Sequence, residues 1–303
     1  MRAAAFGLFL AALSAVGAGA QPLPAAPASG ATSVQGGSVD RFADALLFAA
    51  ADREADRLRR IQTLTVELDG GVVFWRVTPP EASAPEEWPL ADCRVVGPEL
   101  FVDRDTFCSS MLGFLSAGSG GGGGGEEGGG IGPYEITYHA RTWGGREAHG
   151  LTIAGVRGRP LAPGMDTYEM WIDAETLTLV LMRTTGSETP DEAPVTFSFE
   201  RSDLRQVKGL TVPHHYRATL YGAAPSIRAG FTEEEHSALA LVRDALDAPD
   251  PDLAIDALPE DVREAVGFYE AILTNGSLEW EYVVRSVRVN QPLPSGVFGG
   301  FGR

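Results

Sequence analysis

Between residues 167 and 221 the chain runs through four alternating segments. Tyr168, Met170 and Ile172 alternate with Glu169, Trp171 and Asp173, and after a turn at Asp173-Ala174-Glu175 residues 176–184 run back with Leu177, Leu179 and Leu181 on one face. A Pro-bounded turn at residues 190–194 precedes Val195, Phe197 and Phe199, which alternate with Thr196, Ser198 and Glu200. Lys208-Gly209 then leads into residues 211–221, where Tyr216, Ala218 and Leu220 oppose Arg217 and Thr219. Alternation of period two between Pro, Gly and Asp turns predicts an antiparallel meander with one apolar face.

Similar patterns flank the meander. Ile61, Leu64, Val66 and Leu68 precede Asp69-Gly70-Gly71 and residues 72–77, a predicted hairpin. Residues 79–89 read as a loop, and 99–107 as a third strand of that region. Residues 134–141 and 149–156 add two more strands, and 278–289 a long last one with Leu278, Trp280, Tyr282 and Val284 on one face. The period changes to helical in two places. Val39, Phe42, Leu46, Ala49 and Ala50 form one face of a helix over 38–60, whose positive end carries Arg57, Arg59 and Arg60. Thr232 with Glu235 forms a capping box before Leu239, Val242 and Leu246. After a Pro/Asp loop, Pro259 opens a second helix that ends at Asn275-Gly276. Sequential strands with short turns favour one antiparallel sheet, and a sheet of eight to ten strands curls. The expected fold is therefore α+β: a single strongly curved antiparallel sheet, an open half-barrel, with helices packed on its concave face.

Composition divides the 303 residues further. Arg2, the apolar run 3–16 and Ala18-Gly19-Ala20 predict a signal peptide over 1–20, cleaved after Ala20, and hence a periplasmic protein. Residues 21–37, rich in Pro, Ala, Ser and Gly, read as a flexible lead-in; 38–298 as one domain; 299–303 as a tail. Residues 118–132 hold eleven glycines. Their backbone entropy argues for a disordered insertion, and no Lys-Ser/Thr follows to make a phosphate loop. The helical insertion spans 232–274. A net charge of −17 argues against nucleic acid and anionic lipid head groups as partners, and no later stretch reaches the roughly 20 apolar residues of a membrane span. For Cys93 and Cys108, a disulfide closing a short loop is one reading and two buried thiols the other.

Candidate chemistry is sparse. His139, His149, His214, His215 and His236 show no metal-ligand spacing, since the neighbours His214 and His215 must point to opposite faces of a strand. No G-x-S-x-G or H-E-x-x-H motif occurs. The expectation is a protein without catalytic residues, metal or cofactor. What stands out is an apolar, aromatic strand surface: Trp75, Tyr168, Met170, Ile172, Phe197, Phe199, Tyr216, Trp280 and Tyr282. These are core if helices fill the concave face, and a pocket for acyl chains if they cover it loosely.

Residues 168–173 (Tyr-Glu-Met-Trp-Ile-Asp), the run from Thr176 to Arg183, Gly209-Leu210-Thr211-Val212-Pro213 and the tail Val287-Arg288-Val289-Asn290 resemble the outer-membrane lipoprotein-sorting family. Its best-known members are the lipoprotein carriers LolA and LolB. The resemblance covers roughly residues 38–68 and 134–298. It implies an open barrel with helices lidding a cavity for lipoprotein acyl chains. It implies a lipid or acylated protein as ligand. The Cys-bearing segment 79–132 and the long helical insertion depart from that pattern. The alternative is a non-transporting envelope module of the same fold, with envelope proteins as partners.

Overall fold

The computed structural model describes residues 23–78, 90–97, 108, 133–161, 164–187 and 193–298. The expected signal peptide, the loop 79–89, the strand at 99–107, the glycine tract and the tail 299–303 lie outside the described residues.

The sequence expectation of an α+β fold with one antiparallel sheet agrees with the structure. Among the described residues eleven strands occur: β1 (Thr32–Val34), β2 (Thr63–Leu68), β3 (Gly71–Thr78), β4 (Leu90–Val96), β5 (Tyr134–Trp143), β6 (Arg146–Gly155), β7 (Thr167–Asp173), β8 (Leu179–Gly186), β9 (Val195–Val207), β10 (Leu210–Tyr221) and β11 (Leu278–Val289). Their spatial order is β1-β5-β6-β7-β8-β9-β10-β11-β2-β3-β4, and every neighbouring pair is antiparallel. The sheet is open, with β1 and β4 at its two edges. The α-helices that lie wholly among the described residues are α1 (Ser38–Arg59), α2 (Ala224–Ala229), α3 (Glu233–Leu246), α4 (Pro251–Asp256), α5 (Glu260–Glu264) and α6 (Val266–Thr274).

Turn chemistry fixes the register of the long hairpins. Trp143 pairs with Arg146 across Gly144 and Gly145, whose φ values are 55° and 82°. Val207 pairs with Leu210 across Lys208 and Gly209, at 51° and 80°. Two consecutive positive φ values give the mirror-image turn whose twist matches the flanking strands. The β7–β8 connection is different. Asp173 Oδ1 accepts hydrogen bonds from Thr176 N and Oγ1, both at 2.7 Å, and Leu177 takes φ 54°. Beyond it, Trp171 faces Leu181 but Ile172 faces Leu179, so Val180 is an extra residue. That bulge puts Leu179 and Leu181 on opposite faces, correcting the reading that placed both, with Leu177, on one side.

Residues 23–37, read as part of a flexible lead-in, contain β1 paired to β5. Asp40 ties this segment down. Its carboxylate accepts from Gly36 N at 2.6 Å and from the Tyr134 hydroxyl at 2.8 Å, while its own N–H donates to Ser33 Oγ at 3.2 Å. A strand at 90–96 escaped the sequence reading because its alternation is interrupted by Ala91, Asp92 and Arg94.

The face that α1 shares with the strands forms the main core. Val39, Phe42, Ala43, Leu46, Leu47, Ala50 and Leu58 of α1 belong to one cluster with Leu64, Val66 and Trp75 of β2 and β3 and with Ile136, Ile153 and Met170 of β5 to β7. Spacings of three and four residues along α1 put these side chains on one stripe. The opposite face carries a smaller cluster of Ala148, Trp171, Val180 and Leu181.

The segment 232–274 is not the helical pair that periodicity predicted. The capping box at Thr232 and Glu235 opens α3, as read. Asp250 and Pro251 then start α4 within the expected loop, where the Asp250 carboxylate accepts from Leu253 N at 3.2 Å. The second helix is split into α5 and α6 at Ala265. Helices α2, α3, α5 and α6 form a separate cluster around Leu239, Val242 and Ile272, which meets the main core through half-buried Trp280.

A candidate ligand-binding core with buried charge

Of the nine strand residues singled out from sequence, seven sit in the main core and two pack against it. Trp75 (β3), Tyr168, Met170 and Ile172 (β7), Phe199 (β9), Tyr216 (β10) and Tyr282 (β11) are buried in it. Phe197 and Trp280 are half-buried at its margin. Cross-strand register explains the convergence. Tyr216 faces Tyr282, Ala218 lies between Phe199 and Trp280, and Met170 faces Met182 beside Phe199. The Phe199 and Tyr216 rings lie 6.0 Å apart. From α1, the Phe42 ring meets Tyr138 edge-on at 5.2 Å. Trp75 is 1% exposed, and its Nε1 has no hydrogen-bond partner among the described residues.

The sequence reading missed that this apolar layer contains charge. Arg201 is only 4% exposed and shares the inner face of β9 with Phe197 and Phe199. Its Nη1 donates to the Leu179 carbonyl at 3.2 Å, and its guanidinium lies 5.5 Å from the Phe199 ring centre. Its cross-strand partner is Tyr216. From α1, Glu54 and Arg57 form a 2.9 Å ion pair with side chains 14% and 11% exposed. Arg57 Nη2 also donates to the Thr176 carbonyl at 2.6 Å.

Burial sets the electrostatics. It lowers the basicity of the Arg201 guanidinium, a trend opposed by Tyr216, Glu54 and Tyr168. It raises the Glu54 carboxyl, opposed by Arg57 and Arg201. It also pushes the Tyr168 and Tyr216 phenols well above their usual range, so both remain hydroxyl donors at neutral pH.

A signal for these residues was present. Continuing the β9 alternation two residues past Phe199 reaches Arg201, and four residues past Ala50 on α1 lies Glu54. The reading ended the strand at Glu200, whereas β9 continues to Val207.

The outer face holds a cleft of about 230 Å³ lined by Trp143, Arg146, Ala148, Asp173, Val180 and Leu204, among others. Its charges are mutually engaged: Arg146 binds Asp173 at 2.5 Å and Glu175 at 2.8 Å. Also on that face, His215 joins Ser202 through Nδ1 at 2.9 Å and Glu281 through Nε2. A serine-hydrolase histidine uses its nitrogens the other way round, so this is a cross-strand polar ladder. The remaining histidines have ordinary partners, such as Tyr138 for His149 at 2.8 Å and the Val212 carbonyl for His214 at 3.0 Å. Among the described residues no group of three or more His, Cys, Asp or Glu side chains is arranged to hold a metal ion. Cys93 and Cys108 are joined by a disulfide, with Cα atoms 6.1 Å apart. No described helix is long and apolar enough to cross a membrane.

Comparisons with protein-family models, curated proteins and solved structures each returned no match for this chain.

Proposed function

We propose that the protein binds a lipid or acylated ligand, with acyl chains lodged between α1 and the aromatic inner face of a half-barrel. The observation carrying this reading is that α1 shares one core with strands near both ends of an open sheet. Eight strand spacings separate β5 from β3, which in a flat sheet would be about 38 Å. A helix of 22 residues is about 33 Å long and only about 10 Å wide. A sheet curled around α1 brings both ends to it, with α1 as a single removable cover.

An amphipathic helix over an aromatic layer gives the contrast that acyl binding needs: apolar walls and a few polar groups at fixed points. Within this reading the protein works outside the cytoplasm, where the Cys93–Cys108 bond is stable. Kinship with the lipoprotein carriers is part of the same proposal.

The test is a titration of the full chain with a dansyl-labelled fatty acid, together with extraction of lipid from protein purified out of its own envelope. Saturable binding, with quenching of tryptophan emission, is expected. No saturable binding and no co-purified lipid would overturn the proposal.

A further inference from the structure

Placing two guanidinium groups and a carboxylate where the end of α1 meets an apolar strand layer is expensive. An ion loses its hydration on burial, and a well-packed apolar substitute is often as stable. Arg201 is held in this setting by strand register, which fixes it opposite Tyr216 and two residues from Phe199. Arg57 reaches in from α1 to the Thr176 carbonyl. Between the strand layer and α1, the carboxylate of Glu54 is bound by Arg57 at 2.9 Å. Tyr168 and Tyr216, both buried in the same core, add two hydroxyls.

We infer that Arg201, Arg57, Tyr168 and Tyr216 form a subsite for the carboxylate of a fatty acid or similar single-headed acyl anion, with Glu54 acting as its internal stand-in when no ligand is bound. The inference rests on the reading of this core as an acyl-binding site, and adds the chemistry of the head group.

Three physical points support it. Guanidinium forks match planar carboxylates and bind them through short, charge-assisted hydrogen bonds. The subsite lies at the β7–β8 turn end of the aromatic layer, where Arg57 reaches the Thr176 carbonyl and Arg201 the Leu179 carbonyl, so a bound head group would leave its chain beside Met170, Phe199 and Tyr282. The competing carboxylate is carried by α1 itself, so an entering anion that takes its place acts on the covering helix. Arg57 is carried by α1 as well, which couples the helix's position to occupancy of the subsite.

The experiment compares laurate with dodecanol, equal in chain length and different in charge, for the full chain and two variants. Binding is read from tryptophan emission at neutral pH. Wild type is expected to bind laurate at least about tenfold more tightly than dodecanol. The laurate-to-dodecanol affinity ratio is expected to rise in Glu54→Gln, which removes the internal competitor, and to fall to about one in Arg201→Met. Equal binding of the two amphiphiles by wild type, or a ratio that does not rise in Glu54→Gln, overturns the inference while leaving acyl binding intact. Binding of neither overturns both. Should Arg201→Met fail to fold, the Glu54→Gln ratio decides alone.

Discussion

Arg57, in the last turn of α1, donates from Nη2 to the carbonyl of Thr176 in the β7–β8 turn at 2.6 Å. This bond joins α1 to the meander across 119 residues of sequence. At the other end of α1, Asp40 accepts from the Tyr134 hydroxyl at 2.8 Å. The helix is thus pinned to the sheet by polar contacts near each end, with its apolar stripe between them.

Arg57→Ala should loosen the C-terminal half of α1. The change removes a charge-assisted bond to a backbone carbonyl and strips Glu54 of its 2.9 Å partner. A loss of about 2 kcal/mol is expected. Urea unfolding should show a lower midpoint with unchanged slope, and amide exchange should quicken in α1 before it does in β5–β8.

How much of this was legible in sequence depends on how local each determinant is. The meander was legible because its turns are encoded by residues such as Lys208 and Gly209, which sit at the required positive φ. The nine inner-face residues were legible because a strand sends every second side chain the same way. The Val180 bulge was not, since it arises where the Asp173 turn meets the pairing of β7 with β8. Arg201 was hidden for a related reason: a charged residue ends an apolar alternation on paper, although the strand continues through it. The split between α5 and α6 at Ala265 has one mark in the sequence, Gly267 two residues on, which the apolar helical periodicity across it masks.

Gly150 sits opposite Trp171 across β6 and β7, and a Cβ placed there would lie 2.6 Å from the indole ring. The ring has little room to retreat. Arg141 lies 4.0 Å over its face, Trp143 stacks at 6.1 Å, and its Nε1 donates to Glu169 at 2.6 Å. Gly150→Ala is therefore expected to cost about 1–3 kcal/mol by overpacking. Near-ultraviolet circular dichroism should register the displaced tryptophan pair, which an effect on chain entropy alone would leave unchanged.

Asp173 gives stability a defined acid arm. Burial by itself would raise its pKa, but hydrogen bonds from Arg146 and Thr176 outweigh that and hold it below the usual 3.8. The folded protein therefore binds this proton less tightly than the unfolded chain. The stabilisation is complete above the unfolded value and is lost as pH falls through the lower folded one. Asp173→Asn should be less stable than wild type at neutral pH, and the gap should narrow as pH drops from about 4 towards 2. Urea midpoints across that range measure it; a constant gap would show that the charge of Asp173 plays no part.

The Cys93–Cys108 bond ties edge strand β4 to residue 108, with a sequence separation of 15. Closing a loop of that length contributes about 3 kcal/mol by restricting the unfolded chain. Cys93 packs beside the main core and pairs across the sheet with Trp75. Reduction should therefore act both on the unfolded chain and on the packing around that indole. Thiol titration of the unfolded, unreduced protein is expected to give no free thiol. Treatment with dithiothreitol should lower the melting temperature and shift Trp75 emission, whereas Cys93→Ser/Cys108→Ser should show the same lowered melting temperature with no further response to reductant. A double variant as stable as the oxidised protein would mean that β4 is held by its pairing with β3 alone.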